Sequence, residues 1–249
     1  MSLIHALAIE ELPRDSRGDV GAVAFERHAQ LAPGSCSPNN NQRHPPDATR
    51  PPMIEPVARI YIELQDIQPR IWRRVDVPLT SHLLTLHNII QIAFGWTDSH
   101  LFQFSIGNRD YGVPSEEDEF WGLKFYRAAG LRLRTLVARG VERFLYVYDF
   151  GDDWRHDIVI ERVSEGEPHI DYPVFVDGKR RGPPEDVGGV GGFMEFLEAV
   201  RDPMHREHRE MIRWYGKPFD PLDIDERRIR MALLSLARRR RALISGSRS

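Results

Sequence analysis

One cysteine, Cys36, is all the thiol chemistry this chain of 249 residues has. An internal disulfide and a multi-cysteine zinc site are excluded, and the composition fits a reducing compartment. Apolar runs long enough to span a bilayer are missing. The basic opening of a secretory signal is missing too, because the stretch from Met1 to Glu11 turns acidic at once. A cytoplasmic location with no membrane partner is the expectation. Neither sign of charge dominates: 34 Lys and Arg stand against 37 Asp and Glu, a net charge of −3. No global pull toward nucleic acid arises, so any basic contact surface has to be local. No internal repeat is visible.

What is present divides into a leader and a patterned body. From Leu31 to Pro56 proline, asparagine and serine dominate, and such a stretch has too few apolar groups to offset its ordering entropy. Residues 1–56 therefore read as a flexible leader, 57–240 as a single domain and 241–249 as a disordered tail. Val57 to Leu64 alternates in the manner of a strand, and Ile71 to Val77 resumes it after Pro69. Leu83, Leu86, Ile89, Ile90, Ala93 and Phe94 recur at helical spacing, with Ser81 as N-cap and Gly95 as stop. Leu101 to Ile106 predicts a strand, Gly107-Asn108 a turn, and Pro114 to Gly130, with its acidic run from Glu116 to Glu119, a surface excursion. A hairpin follows, with Phe144, Tyr146, Tyr148 and Phe150 on one face and a return strand from Trp154 to Val163. Tyr172 to Gly192 is turn-rich. Helices close the chain: one with a stripe of Phe193, Phe196, Leu197 and Val200, one begun by Asp202-Pro203, and one begun by Asp223 with Glu226. The class is α+β, a mostly antiparallel sheet of hairpins packed with one early helix and a C-terminal group of helices.

The chemistry concentrates in Tyr146-Val147-Tyr148-Asp149-Phe150-Gly151-Asp152-Asp153-Trp154-Arg155-His156. Asp149, Asp152, Asp153 and His156 are oxygen and nitrogen donors suited to a divalent cation or to acid–base work. The alternative is a demanding turn, in which Gly151 and Asp152 supply permissive dihedrals and Asp149 faces His156 or Arg155 across the ladder. Gly95-Trp96-Thr97-Asp98-Ser99-His100 joins a helix to a strand, and His87, Asp98 and His100 can converge there as ligands or simply form a hydrogen-bonded turn. The glycine-rich run from Gly182 to Gly192 precedes a helix, but Glu185 and Asp186 would repel a phosphate. Arg238, Arg239, Arg240 and Arg241 make a basic run that can contact nucleic-acid phosphates or stay solvated.

Four phrases occur in order: Pro69-Arg70-Ile71-Trp72-Arg73-Arg74; Leu86-His87 with Gly95-Trp96-Thr97-Asp98-Ser99-His100-Leu101; Tyr148 to His156; and Pro183-Pro184-Glu185-Asp186 with Gly188-Gly189. Together they resemble the plasmid pRiA4b Orf-three-like family, some of whose members are labelled TnpR-type passengers of insertion elements. The resemblance implies an α+β domain and a mobile-element context, and supplies no catalytic residue. Relatives often carry cysteines where this chain has Gly182, Val187 and Phe175, so zinc held by those ligands is not expected. Three functions are carried forward. The first is a binding or accessory module whose aromatic and acidic hairpin, Trp154 included, contacts a protein partner. The second is a metal-dependent enzyme using the Asp/His hairpin cluster, with a divalent cation as cofactor. The third is a nucleic-acid accessory protein using the arginine run.

Overall fold

The computed structural model describes residues 54–114 and 125–246. Nearly all of the expected leader, and the acidic run from Glu116 to Glu119, lie outside the described residues. Eight strands form one sheet: β1 (Pro56–Leu64), β2 (Trp72–Pro78), β3 (Phe102–Ile106), β4 (Arg109–Gly112), β5 (Phe125–Arg127), β6 (Arg143–Tyr148), β7 (Trp154–Glu165) and β8 (Val174–Lys179). Their spatial order is β5-β4-β3-β6-β7-β1-β2-β8, antiparallel throughout except for β4 with β5. Among the described residues the helices are α1 (Leu83–Phe94), α2 (Leu133–Ala138), α3 (Gly189–Arg201), α4 (His208–Tyr215) and α5 (Glu226–Gly246), with one 3₁₀ turn at Ala128–Gly130. The fold is α+β.

Alternation along the strands decides which face is covered. Ala58, Ile60, Ile62 and Leu64 of β1, Val75 and Val77 of β2, and Trp154, His156 and Ile158 of β7 are buried, in one core with Leu83, Leu86, Ile89 and Ile90 of α1. The intervening residues carry ion pairs instead: Arg59 with Asp76 at 2.8 Å, Arg74 with Glu161 at 2.7 Å and Arg143 with Asp157 at 3.6 Å. Arg73 is the exception on the covered side. Its guanidinium is buried without a carboxylate partner among the described residues and donates to the carbonyls of Ala93, Trp72 and Lys179. Ala93 lies in the last turn of α1, so Arg73 satisfies a helix-end carbonyl from inside the core. Burial, and secondarily Arg181, pushes its pKa down to about 9.

Several expected boundaries move. The N-cap of α1 is His82 with no side-chain cap, not Ser81, whereas Gly95 ends the helix in the left-handed region at φ 85° as expected. β5 lies inside the segment read as an excursion, and β8 inside the segment read as turns. Asp202 does not start a helix; its carboxylate accepts from Met204 N in a local turn, and α4 begins only at His208. Asp223 likewise accepts from Asp225 N before α5 begins at Glu226. α5 runs on to Gly246, so residues 241–246 are helical where a tail was expected.

Candidate functional site

Three loops meet at one end of the sheet, and each belongs to one of the four phrases. The first, residues 95–101, leaves α1 for β3. The second, 149–153, joins β6 to β7. The third, 180–188, links β8 to α3. Trp96 Nε1 donates to Pro183 O at 3.0 Å, and Thr97 N donates to Glu185 Oε1 at 2.7 Å. Tyr148 OH, at the end of β6, donates to Glu185 Oε1 at 3.1 Å and accepts from Ser99 N at 3.0 Å. Burial, with Glu185 adding to it, pushes the Tyr148 hydroxyl well above its ordinary pKa, so it stays a donor.

The hairpin turn differs from both expected registers. Tyr148 pairs with Trp154 and Tyr146 with His156, which leaves a five-residue loop from Asp149 to Asp153. Asp149 therefore has no cross-strand partner. Its φ is 56°, and Asp153 has 52°; these two aspartates, rather than Gly151 and Asp152, take the left-handed conformations, which short polar side chains tolerate. Asp149 Oδ1 accepts from Gly151 N at 2.9 Å and from Asp152 N at 3.3 Å. That leaves Oδ2 pointing out of the loop.

Oδ2 meets His100. The imidazole Nε2 lies 3.6 Å from Asp149 Oδ2, 3.0 Å from Asp186 Oδ1 and 4.0 Å from Glu185 Oε2. It is shielded from solvent, yet no carboxylate reaches it in hydrogen-bonding geometry. One donor atom each from His100, Asp149 and Asp186 fall within 4.8 Å of one another. Around a dication bonded at about 2.1 Å, ligand atoms stand about 3–3.5 Å apart. Closing the difference falls to Asp186, whose side chain is 70% exposed and which sits in a turn with φ of 57°.

The other sequence candidates lie elsewhere. His156 is fully buried, edge-on to Phe94 and Trp96, with Nδ1 donating to Trp154 O at 3.1 Å. Trp154 is fully buried as well. Asp153 pairs with Arg155 at 2.8 Å at the exposed tip. Asp152 Oδ2 accepts from Gly188 N at 3.2 Å, and the approach requires glycine next door, since a Cβ on Gly189 would stand 2.7 Å from Asp152 O. His87 and Asp98 form a separate chain running inward. His87 Nε2 donates to Asp98 Oδ1 at 2.8 Å, which leaves Nδ1 to accept from Tyr146 OH at 2.8 Å. Gln91 ties both ends, donating to Tyr146 OH and accepting from Asp98 N. Burial, opposed by Asp98, lowers the His87 pKa and keeps the ring neutral.

The arginine run is divided between two roles. Arg240 grips Glu55 and Thr80, and Arg241 pairs with Asp171 at 2.8 Å. Arg238 and Arg239 stay exposed.

Residues 56–228 match the family described as plasmid pRiA4b ORF-3-like protein. The chain belongs to this family. It is 40% identical over 165 residues, covering 66% of the chain and 83% of the relative, to the uncharacterized protein y4hQ of Sinorhizobium fredii. It is also similar to the crystal structure of a protein of unknown function, MM3350, from Methanosarcina mazei. That likeness has a TM-score of 0.64 and 31% identity, and it covers 70% of this chain and 96% of the other. All three loops of the site fall within the pRiA4b ORF-3-like match. At one position where cysteine was noted in relatives, this member has no room for it: a Cβ on Gly182 would stand 2.5 Å from Phe94 O. Among the described residues no helix is long and apolar enough to cross a membrane.

Glu185 and Asp186, which the sequence does not single out as members of the cluster, are the carboxylates that the third loop brings to His100. They stand in the fourth phrase, apart from His100 in the second and Asp149 in the third, and in the sequence they read as charges hostile to phosphate.

Proposed function

We propose that this chain is a divalent-cation-binding accessory domain, with His100, Asp149 and Asp186 as ligands and Glu185 behind them. The observation that supports it is the Nε2 of His100, shielded and without a hydrogen-bond partner, facing carboxylates from two other loops. One imidazole nitrogen with two carboxylates suits Mn²⁺, Fe²⁺, Co²⁺ or Zn²⁺ better than the all-oxygen shells of Ca²⁺ and Mg²⁺. Two carboxylates neutralise the dication and relieve the repulsion they impose on each other. The remaining coordination positions would take water or a substrate atom, where the ion supplies Lewis acidity.

A protein contact through the hairpin's rings is the weaker alternative. Tyr146, Tyr148 and Trp154 are in the core, and Phe150 alone of the four is exposed. The mobile-element context is supported by the family likeness and by nothing in the site.

Thermal unfolding with Mn²⁺, Co²⁺ or Zn²⁺ tests the reading. A cation at one hundred times its Kd adds about 2.7 kcal/mol, which raises Tm by about 5–10 °C for a domain of this size. The double variant His100→Ala/Asp186→Asn should lose the shift, and Asp153→Asn should keep it. No shift at millimolar metal, or an equal shift in the double variant, refutes the site.

A further inference from the structure

Independently of the cation site, we infer that the outer face of α5 is a binding surface for the phosphate backbone of double-stranded nucleic acid, with Arg227, Arg228, Arg238 and Arg239 as its contacts. Over 21 residues α5 carries seven arginines and a single carboxylate, Glu226, in a chain whose net charge is −3. That carboxylate is committed to Arg230 at 2.6 Å. Of the seven arginines, Arg240 and Arg241 face Glu55 and Asp171. The remaining four are exposed, and among the described residues no carboxylate pairs with them.

Their spacing singles out the partner. Arg238 follows Arg227, and Arg239 follows Arg228, by eleven positions, close to three full helical turns, so both pairs project the same way about 16 Å apart along the axis. A major groove is about 12 Å wide, so two arginine pairs at that distance can reach the phosphates on its two rims. The surface between them is exposed Met231, Leu234 and Ser235, which brings no negative charge against the groove. With Ile229, Leu233 and Ala237 buried in the core, the apolar side chains left on the outer face between the arginines are Met231 and Leu234, short of the continuous apolar stripe that an interfacial membrane helix inserts. Pairing with a second α5 would set arginines against arginines. A polyphosphate duplex is the partner that charge and spacing favour, bound without base specificity.

The test uses the full chain and a fluorescein-labelled 20-base-pair duplex of mixed sequence, followed by anisotropy against salt. Four phosphate contacts give a slope of log K against log[salt] of about −3.6, an affinity loss of about 150-fold between 50 and 200 mM. The variant with Arg227, Arg228, Arg238 and Arg239 all changed to Ser should keep the circular dichroism of the parent and lose that binding. Changing either pair alone should bring the slope to about −1.8. Absence of binding at 50 mM salt overturns the inference, as does an unchanged slope in the four-site variant. Tighter binding to phosphatidylserine vesicles than to the duplex overturns it too and reassigns the face to anionic lipid.

Discussion

Replacing His156 with phenylalanine should remove a specific part of this protein's sensitivity to acid. The imidazole is fully buried, edge-on to Phe94 and Trp96, and among the described residues its Nε2 has no hydrogen-bond partner. Burial is the main cause that pushes its pKa down, to about 3, against the ordinary value of 6.5. The folded chain thus holds the ring neutral, while the unfolded chain protonates it as soon as the pH falls below about 6.5. The contribution is whole above that value and is lost as the pH drops toward the folded pKa. Each pH unit inside the window is worth about 1.4 kcal/mol, so the loss at pH 5 is about 2 kcal/mol. Urea unfolding of wild type and His156→Phe at pH 7.5 and 5.0 isolates the term, because every other titrating group is common to both. Phenylalanine shifts stability by a constant through repacking and the lost bond to Trp154 O, but it cannot titrate. Wild type should therefore lose about 2 kcal/mol more than the variant on acidification. Parallel losses in the two proteins would mean that His156 is solvated or paired, and the core placement would be wrong.

Two further substitutions probe the frame of the site. Arg73→Met removes a donor from the buried carbonyl of Ala93, at the end of α1, and from the half-buried carbonyls of Trp72 and Lys179. It should cost about 3 kcal/mol in urea unfolding at pH 7, and an unchanged midpoint would contradict the capping role. Gly182→Ala places a Cβ 2.5 Å from Phe94 O. Because the obstacle is backbone, stability should fall by about 1–3 kcal/mol, visible as a Tm drop of several degrees, and an unshifted Tm would show that the loop yields freely.

How much of this could be read from the sequence depends on what each element has to signal. β1, β2, α1 and β3 follow periodicities long enough to register. β5 has three residues, and β8 is a short edge strand carrying Gly178, so neither has a pattern to read. Asp149 stands out in the sequence as an unusual carboxylate, but its neighbours do not follow from the sequence, because periodicity does not count the residues of a loop. A turn of five residues, held by left-handed Asp149 and Asp153, brings Asp149 to His100 instead of to the opposite strand. His156, read in the sequence as a cluster donor, shares the alternation Trp154, His156, Ile158, and that face of β7 is the covered one. Asp186 required the third dimension, since it lies 86 positions after His100 and meets it through the bonds of Trp96 to Pro183 O and of Thr97 and Tyr148 to Glu185.

The sheet order has a consequence for when the molecule can form. Its interior junction joins the first strand to the seventh, with Ile60 opposite Ile160, about one hundred residues away. Closing so long a loop costs entropy before any pairing repays it. On the ribosome, β1 and β2 emerge as a hairpin with one flank unpaired until β7 has been synthesised, and the three site loops cannot meet before residue 186 follows. Folding should therefore be slow, with β1 the edge most exposed to misassociation in the interval.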